Sequence, residues 1–379
     1  MNTATTYDAA IIGGGIAGLC LSIQLAKAGH SVILFEKERY PFHKVCGEYL
    51  SMESWNFLEE LGVPLNEWQQ PRITTLIVSS PSGKTLHRPL HPGGFGISRY
   101  KLDAYLANLA RQSGVNLQEE TKVDHVQFSE GIFEIQYGNN RCTARQACGT
   151  FGKRSNLDVK LKRDFTFQKP GKSTHYIAVK YHVHTNFPSD HIALHNFKNG
   201  YCGISQVEEG RYCLCYLTTA QNLQQCDNNI PLLEQKILSR NPHLRQIFQS
   251  SAFLYPSPLT ISQISFGSKT QMEQHIVMTG DAAGTIPPLS GNGMSMAMRG
   301  SKIMFQHIHL FLQGKISRSE MEAAYQNEWE KTFGKRINSG KWIQQWFGRI
   351  WATEAFIRLL KPLPFLADRL IRQTHGESF

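Results

Sequence analysis

No Cys-x-x-Cys pair occurs in this chain, and its eight cysteines form no zinc-like grouping with histidine. That excludes a disulfide framework and a zinc finger, so reduced thiols and no metal site are expected. Met1 to Tyr7 is polar and has no basic n-region, so a signal peptide is not expected and the chain reads as cytoplasmic. Internal repeats and low-complexity segments are missing as well, and the apolar fraction of 41% is that of a globular protein. Acidic residues are in deficit, 30 against 40 Lys and Arg, a net charge of +10. From Arg299 onward 13 Lys/Arg face 7 Asp/Glu, so most of that excess lies at the C-terminal end. The asymmetry points to an anionic partner such as a membrane surface or an acidic carrier, rather than to nucleic acid. At 379 residues the chain is long enough for two or three domains.

What is present begins at Asp8. Ala9 to Ile12 is a short apolar run ending on glycine, as a buried parallel strand does. Gly13 permits a tight turn, Gly15 lets a pyrophosphate approach the backbone, and Gly18 lets the next helix press on the sheet. That helix, Leu19 to Ala28, aims its free amides and positive dipole end at the phosphates. A second strand ends on Glu36, 18 residues after Gly18, where a carboxylate accepts both hydroxyls of an adenosine ribose. The same charge repels a 2′-phosphate, so NADP is not the expected tenant of this pocket.

Further along, Arg39 to Leu50 is punctuated by Pro41 and Gly47 and reads as a loop over the nucleotide site. Helices are expected over Ser51 to Leu61 and Lys101 to Ser113, and strands over Ile73 to Ser79, Val115 to Leu117, Val123 to Phe128 and Ile132 to Tyr137. From Ser173 to Ser265 strand patterns dominate, with one helical interval at Pro231 to Ser239. His182, His184, His191 and His195 alternate along these strands as solvent-facing or satisfied side chains. The α/β pattern returns with the short strand His275 to Thr279 and Gly280-Asp281-Ala282-Ala283-Gly284. A long helix begins near Met294, and the chain is helical from Glu320 to Pro362. The expected fold is therefore α/β: a Rossmann-type domain over 1–172 and 271–320, an inserted mostly antiparallel sheet over 173–270 with segments near 73–100, and a helical region over 321–379.

The Gly280-Asp281 segment separates two dinucleotides. A nicotinamide enzyme needs no second polyol site, whereas FAD needs its ribityl chain and isoalloxazine held. Asp281 at a strand end accepts from ribityl hydroxyls. Gly291, Asn292 and Gly293 open a helix whose amides stabilise negative charge on a reduced flavin.

With these residues in view, the chain resembles the FAD-dependent oxidoreductases of the geranylgeranyl reductase family, a branch of the group that holds aromatic hydroxylases and flavin-dependent halogenases. The likeness rests on Gly13 to Gly18, including Ala17, with Glu36; on Lys44-x-Cys46-Gly47; and on Gly280 to Gly284 with Pro288 and Gly291-Asn292-Gly293. It implies that Ser98-Arg99 starts a helix whose Arg99 reaches the FAD pyrophosphate, and that Lys44 belongs to the cofactor site. It also places Cys46, Gly47 and Glu48 in a loop at the flavin, where the Cys46 thiol relays or positions a proton. Glu48 stands where the family has a second glycine, and is either the acid or a solvated loop charge.

The departures are specific. The hydroxylases' mid-chain Asp-Gly pair is replaced by Ala147-Cys148-Gly149-Thr150, which leaves the electron donor open between NAD(P)H and another reductant. The halogenase W-x-W-x-I-P signature is missing, since no tryptophan lies between Trp68 and Trp329. The prenyl reductases' Y-x-W-x-F-P stretch is reduced to Tyr201.

Four of the six tryptophans, Trp329, Trp342, Trp346 and Trp351, lie in the C-terminal region, among Phe347, Ile350, Phe356, Leu359, Phe365 and basic residues. No run there approaches the roughly 20 apolar residues of a spanning helix. The expectation is peripheral membrane contact, a roof over an apolar tunnel, or plain packing. The chain reads as an FAD-dependent oxidoreductase that reduces a carbon–carbon double bond in a hydrophobic prenyl, lipid or polyene substrate. Two alternatives stay open: a flavin monooxygenase of an aromatic or polyketide substrate, and a non-catalytic flavin or lipid carrier.

Overall fold

Two sheets divide the chain in the computed structural model, which describes residues 5–167, 175–264, 266–285, 291–346, 349–374 and 376–379. Pro288, Phe347 and the side chains of Lys341, Trp342, Trp346 and Arg372 lie outside the described residues. The first sheet runs Met272–Glu273, Ile276–Met278, Asn140–Gly149, Thr6–Ile12, Val32–Phe35, Asn116–Gln118, and its four central strands are parallel. The register sets Ile12 beside Phe35 and Gly149, and Gly149 beside Met278. Four strands therefore end level, and the turns that follow them share one crevice, where open α/β sheets bind ligands.

The first strand, flanked on both sides, is apolar because both its faces are covered. Helix Ile16–Lys27 lies on it, nine of its residues buried, and packs against helix Gly293–Leu312. The two halves of the Rossmann unit, some 260 residues apart in the chain, share one apolar core that runs from Ala9 to Ile337.

The strand Asn140–Gly149 was not among the expected strands. Its outer half, rich in Arg and Thr, pairs antiparallel with Ile132–Tyr137, and its inner half runs parallel to the first strand. A strand that changes partners midway is buried only toward its end, so its alternation is weak in the sequence.

Among the described residues the second sheet carries nine strands. Tyr176–His184, Tyr212–Thr219, Gly200–Gln206 and His191–Phe197 form an antiparallel set, extended through a parallel pairing with Arg72–Ser79 to Thr85–Gly96 and Tyr49–Ser51. The single helical interval expected there is three: Ala220–Gln224, Ile230–Lys236 and Pro242–Ser250. The last begins with Asn241, whose side chain accepts from the His243 amide, followed by proline at the first helical position.

Helices Arg318–Trp346, Ile350–Leu360 and Pro364–Thr374 complete the chain. The last two rest on the hairpin Arg72–Gly96 through one small apolar core of Val78, Leu86, Ile357, Leu360 and Ala367. Two ion pairs fasten them: Arg88 donates twice to Asp368 (2.9 and 2.7 Å), and Lys84 reaches Glu354 at 3.2 Å.

Candidate active site

The turn after the first strand is shaped by contacts that only glycine permits. Gly13 has φ +112°, and a Cβ there would lie 2.6 Å from the Thr150 carbonyl oxygen. A Cβ on Gly18 would collide with the Gly13 carbonyl, so this glycine sets how closely helix and turn approach. Gly15 is different: its added Cβ would meet no protein atom within 4 Å. Its side opens into the cavity, which is the room a pyrophosphate needs at a helix start. Thr150 locks the turn, donating through Oγ1 to the carbonyls of Ile12 (3.0 Å) and Gly13 (2.6 Å).

One cavity of about 1200 Å³ runs from this turn to the second sheet. At one end it is lined by Gly13, Gly15, Ala17 and Glu36, and beside them by Gly280, Asp281, Gly291 and Gly293. Gly280, at φ +62°, sits where its Cβ would be 3.3 Å from that of Ala17, so the two glycine segments pack directly on each other. Asn292 is buried and caps the helix Gly293–Leu312, its carbonyl accepting from the Met296 amide at 2.9 Å. Lys269 ties the Gly280 turn down, donating to the carbonyls of Asp281 (2.7 Å) and Lys153 (2.9 Å). Burial pushes the Lys269 ammonium down to about 8, opposed by the charge of Asp281. Thr150 and Lys269 carry no local sequence signal, because both act through backbone carbonyls of distant segments.

Lys44 lies 3.3 Å from Asp103 and 3.8 Å from Glu36. Arg99 lines the cavity and donates to both oxygens of Asp103, at 2.7 and 2.6 Å. The phosphate contact expected of Arg99 thus begins from a guanidinium already oriented by a buried carboxylate. These groups fit a bound FAD: an acid at the ribose position, an open helix start, and a second glycine turn brought against the first.

Glu48 corrects one expectation. It is not a solvated loop charge; its exposure is 0%. Oε1 accepts from the Lys180 ammonium and from the Arg99 amide (2.8 Å), and Oε2 from His182 Nε2 at 2.6 Å. Burial would raise its pKa, but the Lys180 charge and the His182 hydrogen bond hold it down at about 2. Glu48 is therefore an anion at neutral pH, which removes it as a general acid. Burial alone would lower the Lys180 pKa, and the Glu48 charge overrides this and raises it.

The cluster pins the Lys44–Glu48 loop to the second sheet. Lys180 also donates to the Lys44 carbonyl at 3.1 Å, and the Cys213 thiol donates to the Cys46 carbonyl at 3.2 Å. Glu48, Cys213 and His182 offer ligand atoms within 4.8 Å of one another. The cation among them is already Lys180, whose ammonium occupies the carboxylate a metal would need. Lys180 itself sits amid Ile177, Val179, Tyr181 and Val183 in a strand buried on both faces. A lysine in such a strand requires a buried anion, and that was the signal available for the pair.

Cys46 is half-buried and Gly47 exposed, both on the cavity wall. Beyond them the lining turns apolar: Leu76, Ile192, Leu194, Ile204, Leu217 and Ile261 come from the second sheet. Tyr201, the remnant of the prenyl-reductase stretch, is among them, while Phe356, Leu360 and Leu370 close the far end from the C-terminal helices.

A Rossmann crevice holding two glycine turns, beside a sheet-walled apolar chamber, defines a flavoprotein oxidoreductase fold. Residues 6–333 match the FAD binding domain family, and the chain belongs to it. It is 26% identical over 364 residues to conditioned medium factor receptor 1 of Dictyostelium discoideum, covering 88% of this chain and 69% of that one. Digeranylgeranylglycerophospholipid reductase 2 of Methanopyrus kandleri is 21% identical over 350 residues, 87% of this chain and 83% of the relative. Among solved structures, the flavin-dependent brominase Bmp2 superimposes with a TM-score of 0.79 at 19% identity, over 98% of this chain and 93% of its own. At that identity the likeness is one of fold.

Proposed function

We propose that this protein reduces a carbon–carbon double bond in a hydrophobic, prenyl- or polyene-like substrate. The observation that carries the reading is the single cavity, in which the FAD cradle opens through the Cys46–Gly47 loop into an apolar chamber. Bound FAD, once reduced by NAD(P)H or another donor, supplies the hydride. The chamber walls hold the substrate chain and exclude water from the reacting carbons. Cys46 stands at the junction, its Sγ accepting from the Glu48 amide at 3.5 Å, with its own proton available for the carbon next to the one that receives hydride. Glu48, Lys180 and Cys213 hold the loop carrying that thiol. The likeness to the digeranylgeranylglycerophospholipid reductase of Methanopyrus kandleri supports this choice of substrate class. Oxygenation of an aromatic or polyketide substrate is the second reading, since the same apolar chamber beside the FAD cradle would shield flavin–oxygen chemistry from water.

The test is anaerobic. The FAD-loaded protein is photoreduced, then mixed with a digeranylgeranyl phospholipid in the absence of oxygen. Reoxidation of the flavin with a product heavier by two hydrogens is expected, and Cys46→Ala should slow that step by roughly a hundredfold with FAD binding unchanged. Turnover that requires oxygen and inserts an oxygen atom would replace this reading with the second.

A further inference from the structure

The two helices that close the apolar chamber present opposite faces to different surroundings. Inward, Phe356, Leu360, Ala367 and Leu370 line the cavity. Outward, Phe365 is 74% exposed, Trp351 63% and Leu359 62%, with Ile350, Leu363 and Leu366 beside them. Among the described residues eleven large apolar side chains are exposed, and six of them fall in this one stretch. Scattered exposed leucines need no explanation, but a contiguous patch marks an interaction surface.

The charges decide what it meets. Arg349, Arg358, Lys361 and Arg369 are all exposed on these helices. The stretch has two acids, Glu354 and Asp368, and both are taken up by Lys84 and Arg88 of the hairpin below. The outward face is thus apolar and positive. A second copy of the chain docked about a two-fold axis would set these cations against their own kind. A surface of anionic headgroups over an apolar interior matches both features at once.

We propose that this face docks the protein on an anionic lipid bilayer. Each helix has 11 residues. At about 1.5 Å per residue neither reaches across roughly 30 Å of hydrocarbon, so both lie in the interface. Among the described residues no helix is long and apolar enough to cross a membrane. Docking here sets the roof of the chamber on the lipid surface, so that a lipid substrate enters from the bilayer without crossing water; this last point rests on the proposed reaction, whereas the docking itself does not.

The experiment is co-sedimentation of the full FAD-loaded chain with vesicles of phosphatidylcholine alone or mixed with phosphatidylglycerol, at low and high salt. Binding to the mixed vesicles at low salt, released by high salt and weak on phosphatidylcholine, is expected. The triple variant Arg349→Gln/Arg358→Gln/Arg369→Gln should lose roughly tenfold or more in partitioning, since each basic contact near the surface contributes separately. Trp351→Ser/Phe365→Ser should lose binding to the mixed vesicles at low salt, although it removes no charge. Unaltered FAD content and flavin spectrum certify that both variants are folded. Protein that stays in the supernatant with anionic vesicles at low salt overturns the proposal. So does binding that neither variant weakens. Concentration-dependent dimerisation abolished by Trp351→Ser/Phe365→Ser, with no vesicle binding, would assign the face to a second copy instead. Because no turnover is measured, vesicle binding stands or falls apart from the reductase reading.

Discussion

Gly13, Gly15 and Gly18 differ in what a side chain at each would meet. Gly13 and Gly18 are held by neighbouring protein atoms, so a side chain at either would displace backbone. Gly15 has an ordinary extended conformation (φ −76°, ψ 179°) and open space where its Cβ would stand. Gly15→Ala should therefore leave unfolding stability within about 0.5 kcal/mol of the parent. The added methyl occupies the approach to the helix amides, and FAD affinity should fall at least about tenfold. Urea unfolding of the FAD-free protein, with FAD titration by fluorescence quenching, separates the two effects. Equal FAD affinity in the variant would remove the pyrophosphate from this turn.

At the scale of elements, the loop bearing Cys46 is joined to the second sheet by a buried ion pair. Glu48 adopts φ 55°, a left-handed conformation uncommon for a glutamate, and it is held there by Lys180, His182 and the Arg99 amide. Removing one charge strands the other: Glu48→Gln and Lys180→Met should each cost about 3–5 kcal/mol. The double variant should cost clearly less than their sum, which a double-mutant cycle in urea measures. The pH dependence follows from the same pair. Glu48 is depressed from 4.5 to about 2 in the folded protein, so its contribution is complete above pH 4.5 and is lost as pH falls toward 2. In Glu48→Gln that part of the acid destabilisation should be missing. Additive single-variant costs, or an unchanged acid limb, would mean that the pair does not hold the loop.

For the whole molecule, the site that fits FAD is assembled from segments far apart in the chain. Gly13, Gly15, Glu36 and Lys44 from the first segment and Gly280, Asp281, Gly291 and Gly293 from the second line one end of the cavity, and the apolar chamber continues it into the second sheet. A ligand bound only by the folded state stabilises it by mass action, about 2.7 kcal/mol at a hundredfold excess over the dissociation constant. Stripping FAD should lower the melting temperature, and adding it back should raise it in proportion to the logarithm of free FAD. A melting temperature indifferent to FAD would contradict a cofactor bound across these segments.

The sequence by itself determined the local pieces: strand, glycine turn, helix, strand and terminal acid, and again the Gly280 and Gly291 turns. Those signals act over a few residues, through backbone freedom and apolar periodicity, and so are written where they operate. The strand Asn140–Gly149 escaped because its partners change midway and dilute its alternation. Tertiary structure alone decided the state of Glu48. A carboxylate beside glycine in a loop reads as solvated, and what buries it are Lys180 and His182, more than 130 residues away. Burial of a charge depends on a partner's position in space, and no local propensity encodes that. The same holds for the C-terminal helices, whose composition promised an amphipathic surface. Which side faces the chamber and which faces outward was settled when they packed on the hairpin, since only packing divides one set of apolar residues into a buried half and an exposed half.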